Sequence, residues 1–203
     1  MSNENLFWHV GHVDRAGRER LKGHQGACIW LTGLSGAGKS SVAIELDALL
    51  HARGIHTYML DGDNVRQGLC GNLGFTAQAR DENIRRVSEV AKLMADAGLV
   101  TIAAFISPYR GQREQARARF EAGRFLEVWV RCPVDVCRER DPKGLYKRAD
   151  AGLIKDFTGV DAPYEEPQSP EIIVDTVADE TPQQSAARVL ALVESRGILS
   201  VVE

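Results

Sequence analysis

The run Gly33-Leu34-Ser35-Gly36-Ala37-Gly38-Lys39-Ser40-Ser41 contains the spacing G-x-x-x-x-G-K-S/T, which wraps a backbone around phosphate. Its glycines let successive N–H groups turn inward without a Cβ in the way, and a helix opening behind the loop adds the positive end of its dipole. Lys39 then reaches the outer phosphates of a nucleoside triphosphate, and the Ser40 hydroxyl is a ligand for Mg²⁺. A second cluster, Asp61-Gly62-Asp63-Asn64-Val65-Arg66, offers two carboxylates and a guanidinium. The carboxylates can orient a hydrated Mg²⁺ or take a proton from an attacking hydroxyl, and Arg66 can grip an anion. Alone, Asp-Gly-Asp is also a common turn; beside a phosphate loop the chemical reading is preferred.

Such a loop needs a strand before it and a helix after it. Residues 28–32 are a short apolar run, and residues 39–53 place Val42, Leu46, Leu49 and Leu50 on one helical stripe that stops at Gly54. Further runs at 57–60, 99–106, 126–132 and 172–174 are apolar without alternation, the pattern of strands buried on both faces of a parallel sheet. Helices are expected over 78–97, with Thr76 as N-cap, and from Pro182 to about 196, opened by the capping box Thr181-Pro182-Gln183-Gln184. Strand alternating with helix predicts an α/β three-layer domain. In it the Asp61–Arg66 cluster falls at the C-terminal end of the second strand, where open α/β sheets present ligands.

Other candidates lie along the same edge. Phe75 follows a Gly/Asn loop and precedes Arg80 and Asn83 on the polar side of the long helix. Stacking and edge-reading of a base would use this set, and a hydrophobic staple beside the Thr76 cap would use Phe75 equally well. Ile106-Ser107-Pro108 ends the third strand, with Ser107 either a ligand-binding hydroxyl or a turn residue. Residues 110–124 hold five arginines and two glutamates and read as a solvated helix face. Residues 138–170 are rich in Pro, Gly and charge, with Arg138, Arg140, Lys143, Lys147, Arg148 and Lys155 among them, and read as an irregular lid and substrate loop.

The whole chain bounds these readings. Its 203 residues bury roughly 70% of their unfolded surface in one domain, without needing disulfides or a structural metal. Residues 1–24 are an N-terminal segment of that domain. With 25 Lys+Arg against 28 Asp+Glu, the chain lacks the basic surplus of a nucleic-acid-coating protein. No apolar run reaches the ~18 residues of a membrane span, and the polar N-terminus has no signal-peptide pattern. Cys28, Cys70, Cys132 and Cys137 lack metal-ligand spacing and fit buried thiols of a cytoplasmic protein. No N/T-K-x-D follows the phosphate loop, which sets aside a guanine-nucleotide switch and leaves a phosphotransferase or an ATPase.

Taken together, the strings from Ile29 to Ser40 and from Asp61 to Arg66, then Leu73-Gly74-Phe75, Glu82 to Val87, Ala104 to Pro108, Asp141 to Lys147 and Phe157 to Asp161 resemble the adenylylsulfate kinase (APS kinase) family. The resemblance runs over residues 8–167 in the family's order. It implies a P-loop kinase fold with a parallel five-stranded sheet, flanking helices and a lid, using ATP and Mg²⁺. The implied reaction is phosphorylation of the ribose 3′-hydroxyl of adenosine 5′-phosphosulfate (APS) to give PAPS and ADP in sulfate assimilation. By resemblance, the phosphate loop from Gly33 to Ser41 holds ATP, Ser40 and Asp61 serve the metal, and Lys39, Asp63 and Ser107 are catalytic. Asp63, Asn64, Val65, Arg66, Arg80, Asn83, Ile106, Ser107, Lys143 and Asp156 line the APS site, and Phe75 and Phe157 sandwich its adenine. Ser107 matches the serine described in bacterial members as a phosphoserine intermediate; direct in-line transfer is the expectation here, because a positioned hydroxyl needs no covalent step. A homodimer and association with ATP sulfurylase are also implied. Three positions depart from the family pattern: Leu69 to Asn72 before Leu-Gly-Phe, Asp150 in place of a basic lid residue, and Ser41 in place of threonine.

Overall fold

The structure, a computed structural model, describes residues 7, 9, 11–177 and 180–200. The reading of the extreme N-terminus therefore lies almost wholly outside the described residues. Five parallel strands, β1 (Ala27–Thr32), β2 (Thr57–Asp61), β3 (Val100–Ala104), β4 (Phe125–Arg131) and β5 (Ile172–Asp175), form one sheet in the order β2-β3-β1-β4-β5. Around it lie α1 (Arg15–Lys22), α2 (Lys39–His51), α3 (Gly62–Val65), α4 (Ala77–Asp96), α5 (Arg110–Arg117), α6 (Val134–Arg140), α7 (Leu145–Asp150) and α8 (Pro182–Ser195).

The pleat of β1 divides the core in two. Ile29 and Leu31 face a cluster with Val42, Leu46 and Leu50 of α2, Val189 and Leu190 of α8, and Ile102 and Val128 from the flanking strands. Cys28 and Trp30 face the other side, with Ile84, Val87 and Ala91 of α4, Phe105 and Phe125. Because β1 is buried along its whole length, both faces are apolar, as its non-alternating sequence requires. All four cysteines are free and buried. Among the described residues, no helix is long and apolar enough to cross a membrane.

The expected caps form: Thr76 accepts from Ala79 N at the start of α4, and Thr181 and Gln184 close a reciprocal capping box on α8. Asp14 caps α1, a helix absent from the sequence reading, by accepting from Gly17 N at 2.7 Å. Two expectations are corrected. The helix expected over 110–124 stops at Arg117, gives way to turns and reverses at Gly123, whose φ is 80°. Its face is also not simply solvated: Arg113 is 2% exposed and pairs with Glu127 of β4 at 2.7 Å. Residues 138–170 are likewise not irregular throughout, since they hold the end of α6 and all of α7. The Asp141 carboxylate fixes the start of α7 by accepting from Tyr146 N and Lys147 N.

Candidate active site

The phosphate loop joins β1 to α2 at the C-terminal edge of the sheet. Gly33 lies so close to β4 that a Cβ would stand 2.4 Å from the Val130 carbonyl oxygen, and at Gly36, with φ of 77°, it would stand 2.9 Å from that of Cys137. These glycines thus serve close backbone packing as well as the inward turn of N–H groups. Lys39 donates from Nζ to the Gly33 and Leu34 carbonyls at 3.0 and 2.7 Å, inside the loop it belongs to. Burial pulls its ammonium down to about 8. Ser40 donates to Asp61 Oδ2 at 2.7 Å, and Asp61 Oδ1 accepts from Asp63 N, so Asp61 ends β2, caps α3 and faces the loop hydroxyl.

Asp63 is largely exposed and meets Lys143, which reaches it from the loop before α7. The lid is tied to the phosphate loop by Tyr146, whose hydroxyl donates to the Ser35 carbonyl at 3.0 Å. Arg138 pairs with Asp150 at 3.2 Å, so the unusual acidic residue engages one lid cation. Arg140 donates to the Thr176 carbonyl, and the Thr176 hydroxyl donates to the Ala37 carbonyl, bracing the loop from its far side.

The opposite wall is built by two arginines. Arg66 donates to the Leu73 and Gly74 carbonyls, each at 3.1 Å, and its guanidinium lies 4.4 Å from the centre of the Phe75 ring. Arg80 donates to the Phe75 carbonyl at 2.8 Å, to Thr158 Oγ1 at 2.8 Å and to the Asp156 carbonyl. It therefore joins the loop bearing Phe75 to the one bearing Phe157. The two rings are unequal: Phe75 is 58% exposed, whereas Phe157 is 7% exposed and packs edge-on against Tyr146 at 5.0 Å. Burial lowers both arginine pKa values, the signature of cations short of water that an anionic ligand would favour. Asn83 is buried, and its Oδ1 has no partner among the described residues. Asn64 and Val65 lie in α3, with Val65 buried beneath the site. The departure at Leu69 to Asn72 keeps its anchor, because Arg86 donates to the Leu69 carbonyl and to Asn72 Oδ1 at 2.9 and 2.8 Å.

Ser107 is 2% exposed, and its φ of 39° is left-handed, a strained conformation for serine. Its hydroxyl accepts from Trp30 Nε1 and donates to Thr32 Oγ1, both at 3.0 Å. Thr32 in turn donates to the Ile106 carbonyl at 2.7 Å and lies 3.0 Å from the Tyr164 hydroxyl. Trp30, Thr32, Tyr146 and Tyr164 were not singled out by spacing. A signal existed for Trp30: an indole N–H inside a fully buried strand requires an acceptor, and Ser107 supplies it.

Known proteins resemble this chain in sequence and fold. The family model for adenylylsulphate kinase matches residues 25–175. The adenylyl-sulfate kinase of Citrobacter koseri is 56% identical over 86% of this chain and 87% of its own length. That of an Enterobacter species is 57% identical over 85% and 86%. Among solved structures, the APS kinase of Mycobacterium tuberculosis in complex with AMPPNP and APS superposes with a TM-score of 0.80 at 44% identity, covering 84% of this chain and 99% of that one. A phosphate loop facing an Asp61/Asp63 pair, on a sheet and sequence shared with these enzymes over most of its length, means that the chain belongs to the adenylylsulphate kinase family and is an ATP-dependent kinase of adenosine 5′-phosphosulfate.

Proposed function

We propose that phosphoryl transfer to the 3′-hydroxyl is direct, with Asp63 orienting and deprotonating the acceptor, Lys39 and Lys143 flanking the transferred group, and Ser107 shaping the pocket. The hydrogen bond between Ser40 and Asp61 supports placing Mg²⁺ there: two hard oxygen donors beside a phosphate loop suit an ion that takes most of its ligands from phosphates and water. When bound, Mg²⁺ neutralises charge on the transferring phosphate. Asp63 lies one residue beyond the start of α3, so its carboxylate shares that edge, and its contact with Lys143 brings a lid cation to the same point. The transition state of such a transfer needs alignment and charge stabilisation more than covalent help.

APS is proposed to lie between the Phe75 and Phe157 loops, with its phosphosulfate toward Arg66 and Arg80 and its base amino group toward Asn83 Oδ1, alongside Ile106, Ser107 and Asp156. The observation that carries this is Arg80, whose three bonds join the two aromatic loops into one pocket. The test is Phe75→Ala in an assay that couples ADP release to APS addition. Loss of base stacking, about 1–3 kcal/mol, raises KM for APS by roughly 5- to 150-fold and leaves KM for ATP near its original value. An unchanged KM for APS refutes the placement. A cytoplasmic homodimer that receives APS from an ATP sulfurylase completes the proposal, and sedimentation of the purified chain tests its self-association.

A further inference from the structure

We infer that Arg113 is a positioning residue for the acceptor pocket, setting the separation of its two walls from behind. The inference rests on the reading of Ser107 and Phe157 as those walls. Arg113 is buried, and each nitrogen of its guanidinium serves a different part of the fold: Nε donates to Glu127 Oε1 on β4, one terminal nitrogen to the Ser107 carbonyl and the other to the Glu165 carbonyl, all at 2.7 Å. A planar guanidinium can hold three acceptors in one fixed plane, which a lysine ammonium cannot reproduce. The Ser107 carbonyl belongs to the strained residue three positions beyond β3, which ends at Ala104, and Glu165 belongs to the segment between α7 and β5.

The linkage runs on from Glu165 to the aromatic wall. Glu165 N donates to the Pro108 carbonyl at 2.8 Å, and its carboxylate accepts from Arg110 N at 2.7 Å. The Tyr164 ring lies 5.8 Å from the Arg113 guanidinium, and its hydroxyl joins the Thr32–Ser107 network. Upstream, Asp161 accepts from the backbone N–H groups of Asp156 and Phe157, and the Phe157 carbonyl accepts from Val160, Asp161 and Ala162. That closed loop is joined to Glu165 by only Pro163 and Tyr164, and through this short tether a displacement at Arg113 reaches Phe157 as well as Ser107. Among the described residues Arg113 bonds to Glu127, Ser107 and Glu165 and not to the phosphate loop, which predicts an effect confined to the acceptor. Misplacing a substrate wall by an ångström slows catalysis without touching the reacting groups.

The test separates positioning from stability. Arg113→Gln leaves Glu127 as a buried carboxylate with a weakened partnership, so the informative variant is Arg113→Gln combined with Glu127→Gln, which removes both charges and both carbonyl clamps. Tyr164→Phe is the milder companion, deleting one hydroxyl and keeping the ring. The expected result is a double variant whose KM for APS rises about fivefold or more while KM for ATP stays within about twofold, with Tyr164→Phe shifting KM for APS in the same direction. Arg113→Lys is expected to resemble the double variant and not to rescue it. The inference is overturned if KM for APS is unchanged in Tyr164→Phe and in whichever Arg113 variants fold, or if both KM values rise together in step with lost thermal stability. Phe75→Ala, measured in parallel, distinguishes the two failures: if it raises KM for APS and the Arg113 and Tyr164 variants do not, the pocket stands and the positioning role falls. If Phe75→Ala is also silent, the pocket placement fails and takes this inference with it.

Discussion

Lys39 makes nucleotide affinity depend on pH in a calculable way. Its ammonium is buried against the Gly33 and Leu34 carbonyls, and burial lowers it from 10.5 to about 8. A bound triphosphate restores an opposite charge beside it and returns its pKa toward the ordinary value or above. Binding therefore takes up a proton wherever the free protein has lost one, and affinity falls as pH rises through about 8. At pH 9 only about one molecule in eleven would hold the protonated lysine, so the Kd for Mg-AMPPNP should be roughly tenfold weaker than at pH 7, or about 1.4 kcal/mol. Cys137, the nearest thiol, is pushed up to about 12, chiefly by burial, and stays neutral across this range. Calorimetry from pH 7 to 9.5, repeated in two buffers of different ionisation enthalpy, reads both the affinity and the proton taken up. Uptake should approach one proton per nucleotide at pH 9, and Lys39→Met should bind weakly with a flat profile. A flat profile in the unaltered protein, or a slope that survives Lys39→Met, would refute the reasoning.

Three further outcomes follow from the same geometry. Ser107→Ala should raise KM for APS and lower stability by about 1–3 kcal/mol, because it leaves the buried Trp30 N–H without its acceptor, while turnover persists. Abolished turnover with APS binding intact, or a phosphoserine recovered at this position, would count against direct transfer. His24 is buried, accepts from His56 N at 3.0 Å through Nε2, and has a pKa lowered first by burial. The folded state thus favours neutral His24, and stability present above pH 6.5 declines as pH falls from there through its folded pKa. Melting curves from pH 7.5 to 5 should show this decline, and it should be smaller in His24→Gln. Thr181→Ala removes the hydroxyl that accepts from Gln184 N, which should cost about 1 kcal/mol, or about 2–4 °C in Tm, with both KM values unchanged.

What was legible in the sequence was local. Gly33 to Ser41, the Asp61–Asp63 pair and the caps at Thr76 and Thr181 are short-range patterns: the loop lies between β1 and α2, the pair follows β2, and both caps form as read. The central strands β1 and β3 were legible because burial on both faces leaves uninterrupted apolar runs, and β2 and β5, only partly buried at the sheet edges, still showed as short apolar runs. The order β2-β3-β1-β4-β5 was not legible, because it depends on which strands pair across the sheet. Contacts between distant elements were not legible in this way. The bonds from Tyr146 to Ser35 and from Trp30 to Ser107 depend on how close separate elements approach, which spacing along the chain does not encode. Nor did Pro and Gly content reveal α7, because its start is fixed by the Asp141 side chain and its burial by the Tyr146 ring.

The arginine-rich helix shows where a physical clue was present but pointed the other way. Five arginines in fifteen residues look like a solvated face when read along the helix alone. Glu127 tells a different story: it interrupts the apolar residues 125–130 of β4, and a carboxylate at such a buried position requires a cation. Arg113 is the cation that answers, with Arg117 3.4 Å away on the other carboxylate oxygen and held in turn by Glu171 at 2.6 Å. Pairing alone would need only one of Arg113's nitrogens. Its other two bonds go to the Ser107 and Glu165 backbone, where apolar replacement could fill the space but could not hold a strained serine in place. A buried ion pair is weak evidence for stability, since apolar groups of similar volume often do as well. Beneath the proposed acceptor pocket, what this pair adds is the geometry it imposes on the Ser107 and Glu165 backbone more than the energy it contributes.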